Sequence, residues 1–239
     1  MQQQPTLGQA PVLLPTSLRD GEGPGLRFHV EGELVPVLHL ELAQGAGVYF
    51  EHHIVLWKQP TVNIGMHAVQ GGFKRLMAGM PIFLTEAQGP GQIAFSRDGA
   101  GHIFPLELEP NQEVDVREHQ FLAATNNIEY GFTRLKGVAN MLFGGTGFFI
   151  DRFTARQYKG VLFLHGYGNV FEKVLAPGES IDVEPGGWVY KDPQVQMNIQ
   201  VFGRRTGIFG GSGNLVFNRF TGPGRVGIQS MYLHLPTSE

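Results

Sequence analysis

His52 and His119 stand 67 residues apart, each directly after a glutamate (Glu51 and Glu118), and His53 adjoins the first of them. Neutral imidazole is the commonest nitrogen donor to zinc and similar ions, so His52, His53 and His119 form a metal site if they converge. At the matching place further along, the chain carries Pro185-Gly186, so a turn residue serves there as well. An exposed turn that opens a strand is therefore the favoured reading. Four arginines make a second candidate. Arg152, Arg156, Arg219 and Arg225 flank two copies of a Phe-Thr segment, Phe153-Thr154 and Phe220-Thr221, and stacking those segments would gather their guanidinium groups into an anion site. Arginines at strand ends also guard sheet edges against aggregation, and that simpler role is preferred.

Other reaction chemistry finds no footing. A nucleophile elbow needs glycine where Asn214 follows Gly211-Ser212-Gly213. The glycine-rich stretches 144–147 and 207–213 lack the lysine and following helix of a phosphate loop, and neither a His-x-His pair nor a His-Glu-x-x-His motif occurs. The 239 residues include no cysteine, which removes disulfides, thiolate metal sites and a cysteine nucleophile together. The expectation is a chain that is not an enzyme.

The elements that must position these residues repeat. Gly32, Gly99 and Gly166 are spaced by 67, as are Ile54, Phe121 and Trp188. The second and third copies align without a gap from Gly99-Ala100-Gly101 against Gly166-Tyr167-Gly168 to Val114-Asp115-Val116 against Ile181-Asp182-Val183. In the first copy, Leu40-Glu41-Leu42 matches Leu106-Glu107-Leu108 only after a one-residue shift. Repeats of this size bury a core only together. The reading is a single triplicated β domain over 26–237, with repeats near 26–92, 93–159 and 160–237, after a flexible tail over 1–25.

Period-two alternation in Leu38-His39-Leu40-Glu41-Leu42 marks a half-buried strand, and Val161-Leu162-Phe163-Leu164 is apolar enough to be buried on both faces. Turns are expected at Asp98-Gly99, Pro110-Asn111, Pro177-Gly178 and Pro185-Gly186. The stretches 73–77 and 135–141 leave room for a short helical turn. The 34 glycines and 15 prolines suit many tight turns, and the class is all-β. A net charge of −3 gives no basic field to recruit nucleic acid. Residues 1–20 have neither a signal-peptide nor a transit-peptide pattern, and no apolar run is long enough to span a membrane as a helix, so a cytoplasmic protein is expected.

The glycine turn at 210–213, the segment Phe220-Thr221-Gly222-Pro223-Gly224-Arg225-Val226-Gly227, and the repeated Pro-x-x-x-hydrophobic-Asp-Val pattern together resemble the "altered inheritance of mitochondria" family of mitochondrial biogenesis proteins and their bacterial relatives. The resemblance implies the fold of the tryptophan RNA-binding attenuator protein: three fused short double-stranded β-helix units in a pseudo-threefold arrangement. It implies no activity or cofactor, and kinship of fold is only analogy for function. The expected role is a non-enzymatic scaffold or binding module acting through self-association or a protein partner. Two alternatives stand beside it: a metal- or small-ligand-binding β barrel using His52 and His119, with or without enzymatic activity, and an RNA binder by analogy of fold.

Overall fold

The computed structural model describes residues 10–14, 19–51, 53–68, 83–134, 149–202 and 215–231. Its strands, in chain order, begin with β1 (Val12–Leu13), β2 (Asp20–Gly23) and β3 (Leu26–Glu31). A first set follows: β4 (Val37–Leu42), β5 (Gly47–Phe50), β6 (Val55–Lys58), β7 (Asn63–Ala68), β8 (Phe83–Gln88) and β9 (Gly91–Phe95). The second is β10 (Gly101–Leu108), β11 (Glu113–Arg117), β12 (Phe121–Thr125), β13 (Ile128–Arg134), β14 (Phe149–Ala155) and β15 (Gly160–Tyr167). The third is β16 (Val170–Leu175), β17 (Ser180–Val183), β18 (Trp188–Lys191), β19 (Gln196–Phe202), β20 (Leu215–Thr221) and β21 (Gly224–Gln229). No helix occurs among the described residues, so the class is all-β as the patterning predicts. The stretches 73–77 and 135–141 lie outside the described residues.

One scheme of antiparallel pairing occurs in each set. The fourth-to-ninth pairing β4·β9 recurs as β10·β15 and β16·β21. The pairing β6·β9 recurs as β12·β15 and β18·β21, each with a register shift at the same place. A second layer is built the same way, from β5·β8 with β7·β8, then β11·β14 with β13·β14, then β17·β20 with β19·β20. Each set thus contributes two three-stranded pieces, and alternation of side chains lets both turn an apolar face inward.

Sets are joined edge to edge. β12 pairs with β5, fusing the second set's first piece to the first set's second piece in the sheet β10-β15-β12-β5-β8-β7. β18 pairs with β11 in the same way, giving β1-β16-β21-β18-β11-β14-β13. The remaining sheets, β2-β3-β4-β9-β6 and β17-β20-β19, end at β6 and β17.

Burial follows the alternation. Leu38, Leu40 and Leu42 are fully buried on β4 while Glu41 is exposed, and β15 is buried from Gly160 to Gly166. The core falls into three clusters that cross the boundaries between sets. Leu122 and Phe163 pack with Phe50 and Phe95 of the first set, and Val189 and Tyr190 pack with Val116 and Phe153 of the second. Trp188, Phe220 and Ile150 anchor the third. Cores shared in this manner make the sets interdependent, since removing one leaves its neighbour's apolar face wet.

The N-terminal segment is a correction to the tail expected over 1–25. Val12–Leu13 pairs with β16, and Asp20–Gly23 pairs with β3. An open sheet edge offers unpaired backbone groups, and these short strands satisfy them.

Candidate functional site

The turn between β5 and β6 and its counterpart between β11 and β12 hold the candidate histidines. Strand register fixes their equivalence: Gly47↔Gln88, Glu113↔Thr154 and Ser180↔Thr221 are corresponding pairs, so Glu51 matches Arg117 and His53 matches His119. Backbone geometry agrees, with φ of 66° at His53 and 68° at His119. The equal spacing of His52 and His119 is therefore corrected by one residue, because the first set is one residue shorter before this turn. His52 itself lies outside the described residues.

Among the described residues, His119 faces two carboxylates. Its Nδ1 is 3.7 Å from Glu51 and its Nε2 3.9 Å from Glu118, and contact with Glu51 raises its pKa. Glu51 is also held by Arg97, whose Nη1 donates to the carboxylate at 2.6 Å and to the Phe121 carbonyl at 3.1 Å. The buried Arg97 thereby ties the first set's turn to the start of β12, a link that sequence spacing did not suggest. Among the described residues, no group of three His, Asp or Glu side chains is placed to hold a metal ion.

The four arginines are separately neutralised. Arg152 grips Asp115 bidentately at 2.7 and 3.1 Å, and Arg219 grips Asp182 at 2.7 Å through both contacts. The Arg219 pair holds the Asp182 carboxyl below its usual pKa. Arg156 donates to Glu129 at 2.6 Å, and Arg225 to Asp192 at 2.9 Å. Guanidinium groups committed to carboxylates in this way oppose the binding of a further anion. A signal for two of these pairs was available in the sequence: Asp115 and Asp182 are spaced by 67, and so are Arg152 and Arg219.

Asp115 has a second cation. Lys191 Nζ reaches its Oδ2 at 2.7 Å across the β11·β18 join, with both side chains buried. A buried carboxylate between two cations fixes which strand residues face each other, because any slip of the join leaves a charge unpaired.

A cavity of about 280 Å³ opens between the sets, lined by Leu14, Val30, Pro36, His102, Phe104 and Glu172 among others. The Tyr190 hydroxyl donates to Glu172 at its wall. Burial lowers the pKa of His102, whose Nδ1 has no hydrogen-bond partner among the described residues. His165, on the neighbouring strand, is buried and held down to a pKa of about 4, chiefly by loss of solvent and secondarily by the charge of Arg97.

Among the described residues, exposed apolar side chains gather on β6 and its neighbour in sequence, β7. Val55, Leu56 and Trp57 on β6 are 38%, 56% and 43% exposed, and Ile64 and Met66 on β7 are exposed too. Their counterparts on β12 and β18 are fully buried. Residues 144–147 and 203–214, with the glycine-rich turns and Arg204-Arg205, lie outside the described residues. No helix among the described residues is long and apolar enough to cross a membrane.

Comparison with known proteins gives a consistent picture. The family described as Mitochondrial biogenesis AIM24 matches residues 28–231. An uncharacterised protein of Streptococcus pyogenes serotype M6 is 25% identical over 236 residues, covering 89% of this chain and 92% of that protein. The crystal structure of the Streptococcus pyogenes protein SPYM3_0169 superposes with a TM-score of 0.67 at 21% identity, covering 87% of this chain and 94% of that one. The likeness to the solved structure is one of fold.

Proposed function

The chain belongs to the mitochondrial biogenesis AIM24 family, and from that premise we propose that it is a non-enzymatic β-sheet scaffold that works by binding protein through an exposed apolar strand. The observation that carries this reading is β6, where Val55, Leu56 and Trp57 present a contiguous apolar edge to solvent. An exposed apolar strand with unpaired backbone groups is a template for another chain, and proteins that have no use for one blunt it with charge, proline or a covering loop. β6 carries a single charge, Lys58, at its end.

A photo-crosslinking amino acid at position 56, with position 158 as an equally exposed control, tests this in the native host. Crosslinking to protein from position 56 and not from position 158 is the expected result. Equal background from both positions refutes the reading.

The cavity supports a second reading, a small polar ligand. Its favourable observation is the His102 imidazole, which borders the cavity with Nδ1 unpartnered among the described residues. A ligand that raises the melting temperature of the native chain and not of His102→Phe would establish it.

A further inference from the structure

The wall of the cavity carries a buried charge that the protein compensates only in part. Glu172, on β16, is 9% exposed, and its Oε2 accepts the Tyr190 hydroxyl. Arg225 comes no nearer than 3.9 Å, again to Oε2, which is too long for a hydrogen bond. The Arg225 Nε and Nη2 are taken up by Asp192, at 3.2 and 2.9 Å. Two carboxylates therefore share one guanidinium, and Oε1 of Glu172 accepts no hydrogen bond among the described residues. A buried carboxylate in this state is costly until a cation completes it.

The repeat does not call for a carboxylate here. Counting back three residues from the corresponding pairs Leu42↔Gly91, Leu108↔Gly160 and Leu175↔Gly224 equates Glu172 with His39 and Pro105. The other two sets build the same strand around an imidazole and a proline, so the charge at 172 serves something other than the fold.

The rest of the wall suits a cation with an apolar body. Leu14, Val30 and Phe104 line it, and the Phe104 ring stands 6.0 Å from that of Tyr190 and 5.7 Å from that of His102. Aromatic faces attract an ammonium group. Burial keeps His102 neutral near pH 7, so it adds no opposing charge, and its Nδ1 has no partner among the described residues. Arg19 and Glu33, the other charged residues that line the cavity, are both exposed and of opposite sign. The sign of the site is therefore set by Glu172.

We propose that the cavity binds a small organic amine as its ammonium ion, with the charge held by Glu172 and the apolar body against Leu14, Val30 and Phe104. The inference rests on the second reading above, of the cavity as a ligand site, and names the class of ligand. A volume of about 280 Å³ admits a single aromatic ring with a short side chain.

Three probes of one shape test the sign of the site: phenethylamine, 2-phenylethanol and phenylacetate, each titrated calorimetrically into the full chain at pH 7. Phenethylamine should bind the native protein about tenfold or more tighter than the alcohol, and phenylacetate should bind more weakly than either. Glu172→Gln keeps the shape and removes the charge, so the advantage of the amine over the alcohol should disappear while the alcohol still binds. His102→Phe should weaken amine and alcohol alike, because both lie in the cavity. The three-probe comparison needs no variant and decides the matter even if Glu172→Gln fails to fold.

An alcohol or acid that binds as tightly as the amine overturns the proposal and leaves the cavity as a site for another class of ligand. Amine binding that neither substitution weakens lies elsewhere on the surface and also overturns it. Failure of all three probes to bind in the millimolar range overturns the proposal and the ligand reading of the cavity together.

Discussion

Lowering the pH from 7 to 5 should destabilise the fold chiefly through His165, with the buried His102 acting in the same direction. The His165 imidazole is 1% exposed, on β15, beside the Tyr167 ring at 5.0 Å and within the field of Arg97, Asp98 and His102. Burial lowers its pKa from 6.5 to about 4, Arg97 and His102 push the same way, and the Gly99 backbone and Asp98 offset part of the effect. The unfolded chain therefore takes up a proton near pH 6.5 that the folded chain refuses until about pH 4. Stability is complete above pH 6.5, falls as pH drops through that window, and levels off below the folded pKa. The whole difference corresponds to about 3 kcal/mol, of which about 2 kcal/mol is lost by pH 5. The window lies in the ordinary range of histidine and above that of aspartate and glutamate side chains in general.

His119 acts in the opposite sense, because its raised pKa adds stability as pH falls. The comparison that removes His119 from the result is His165→Leu in the same protein. Urea unfolding at pH 7, 6 and 5 should give a steep decline for the native chain and a shallower one, or a rise, for the variant. Identical slopes would refute the assignment, whatever the absolute stability of the variant.

Other perturbations follow from the same geometry. Asp115→Ala strips the shared carboxylate from buried Lys191 and half-exposed Arg152 and should cost about 3–5 kcal/mol, read as a shift of the denaturation midpoint at constant slope. Arg219→Ala breaks the equivalent but solvent-facing pair with Asp182, and should move that midpoint far less. Phe153→Ala empties a site where the Phe121 and Tyr130 rings lie 4.8 and 5.1 Å away, and should cost about 3–5 kcal/mol. Gly101→Ala would drive its methyl into the Gly166 carbonyl oxygen and the His165 ring, and a thermal scan should show a loss of about 1–3 kcal/mol.

Much of the architecture was legible along the chain. Alternation at Leu38, Leu40 and Leu42 and the unbroken run Val161 to Leu164 reported strand burial directly, because side-chain direction in a strand depends only on the local period. The turns at Pro110-Asn111 and Pro177-Gly178 were legible for the same reason, and Asn111 and Gly178 take φ of 64° and 78° there. The recurrence of apolar and glycine positions also foretold that the sets would need one another to bury a core. Arg152 and Arg219 could be found as equivalents by subtraction, as could Asp115 and Asp182.

What each charge meets was decided only by folding. Lys191 lies far from Asp115 in sequence, and they touch because β18 happens to be the edge that β11 accepts. The one-residue difference between the first and second sets moved the counterpart of His119 from His52 to His53, since register is set by hydrogen bonding between strands and not by distance along the chain. The same separation explains β6. Val55, Leu56 and Trp57 are apolar like their counterparts, which are buried, and they are exposed because burial of an edge requires a neighbouring strand. Periodicity can specify an apolar face, but only the assembled sheets determine whether anything lies against it.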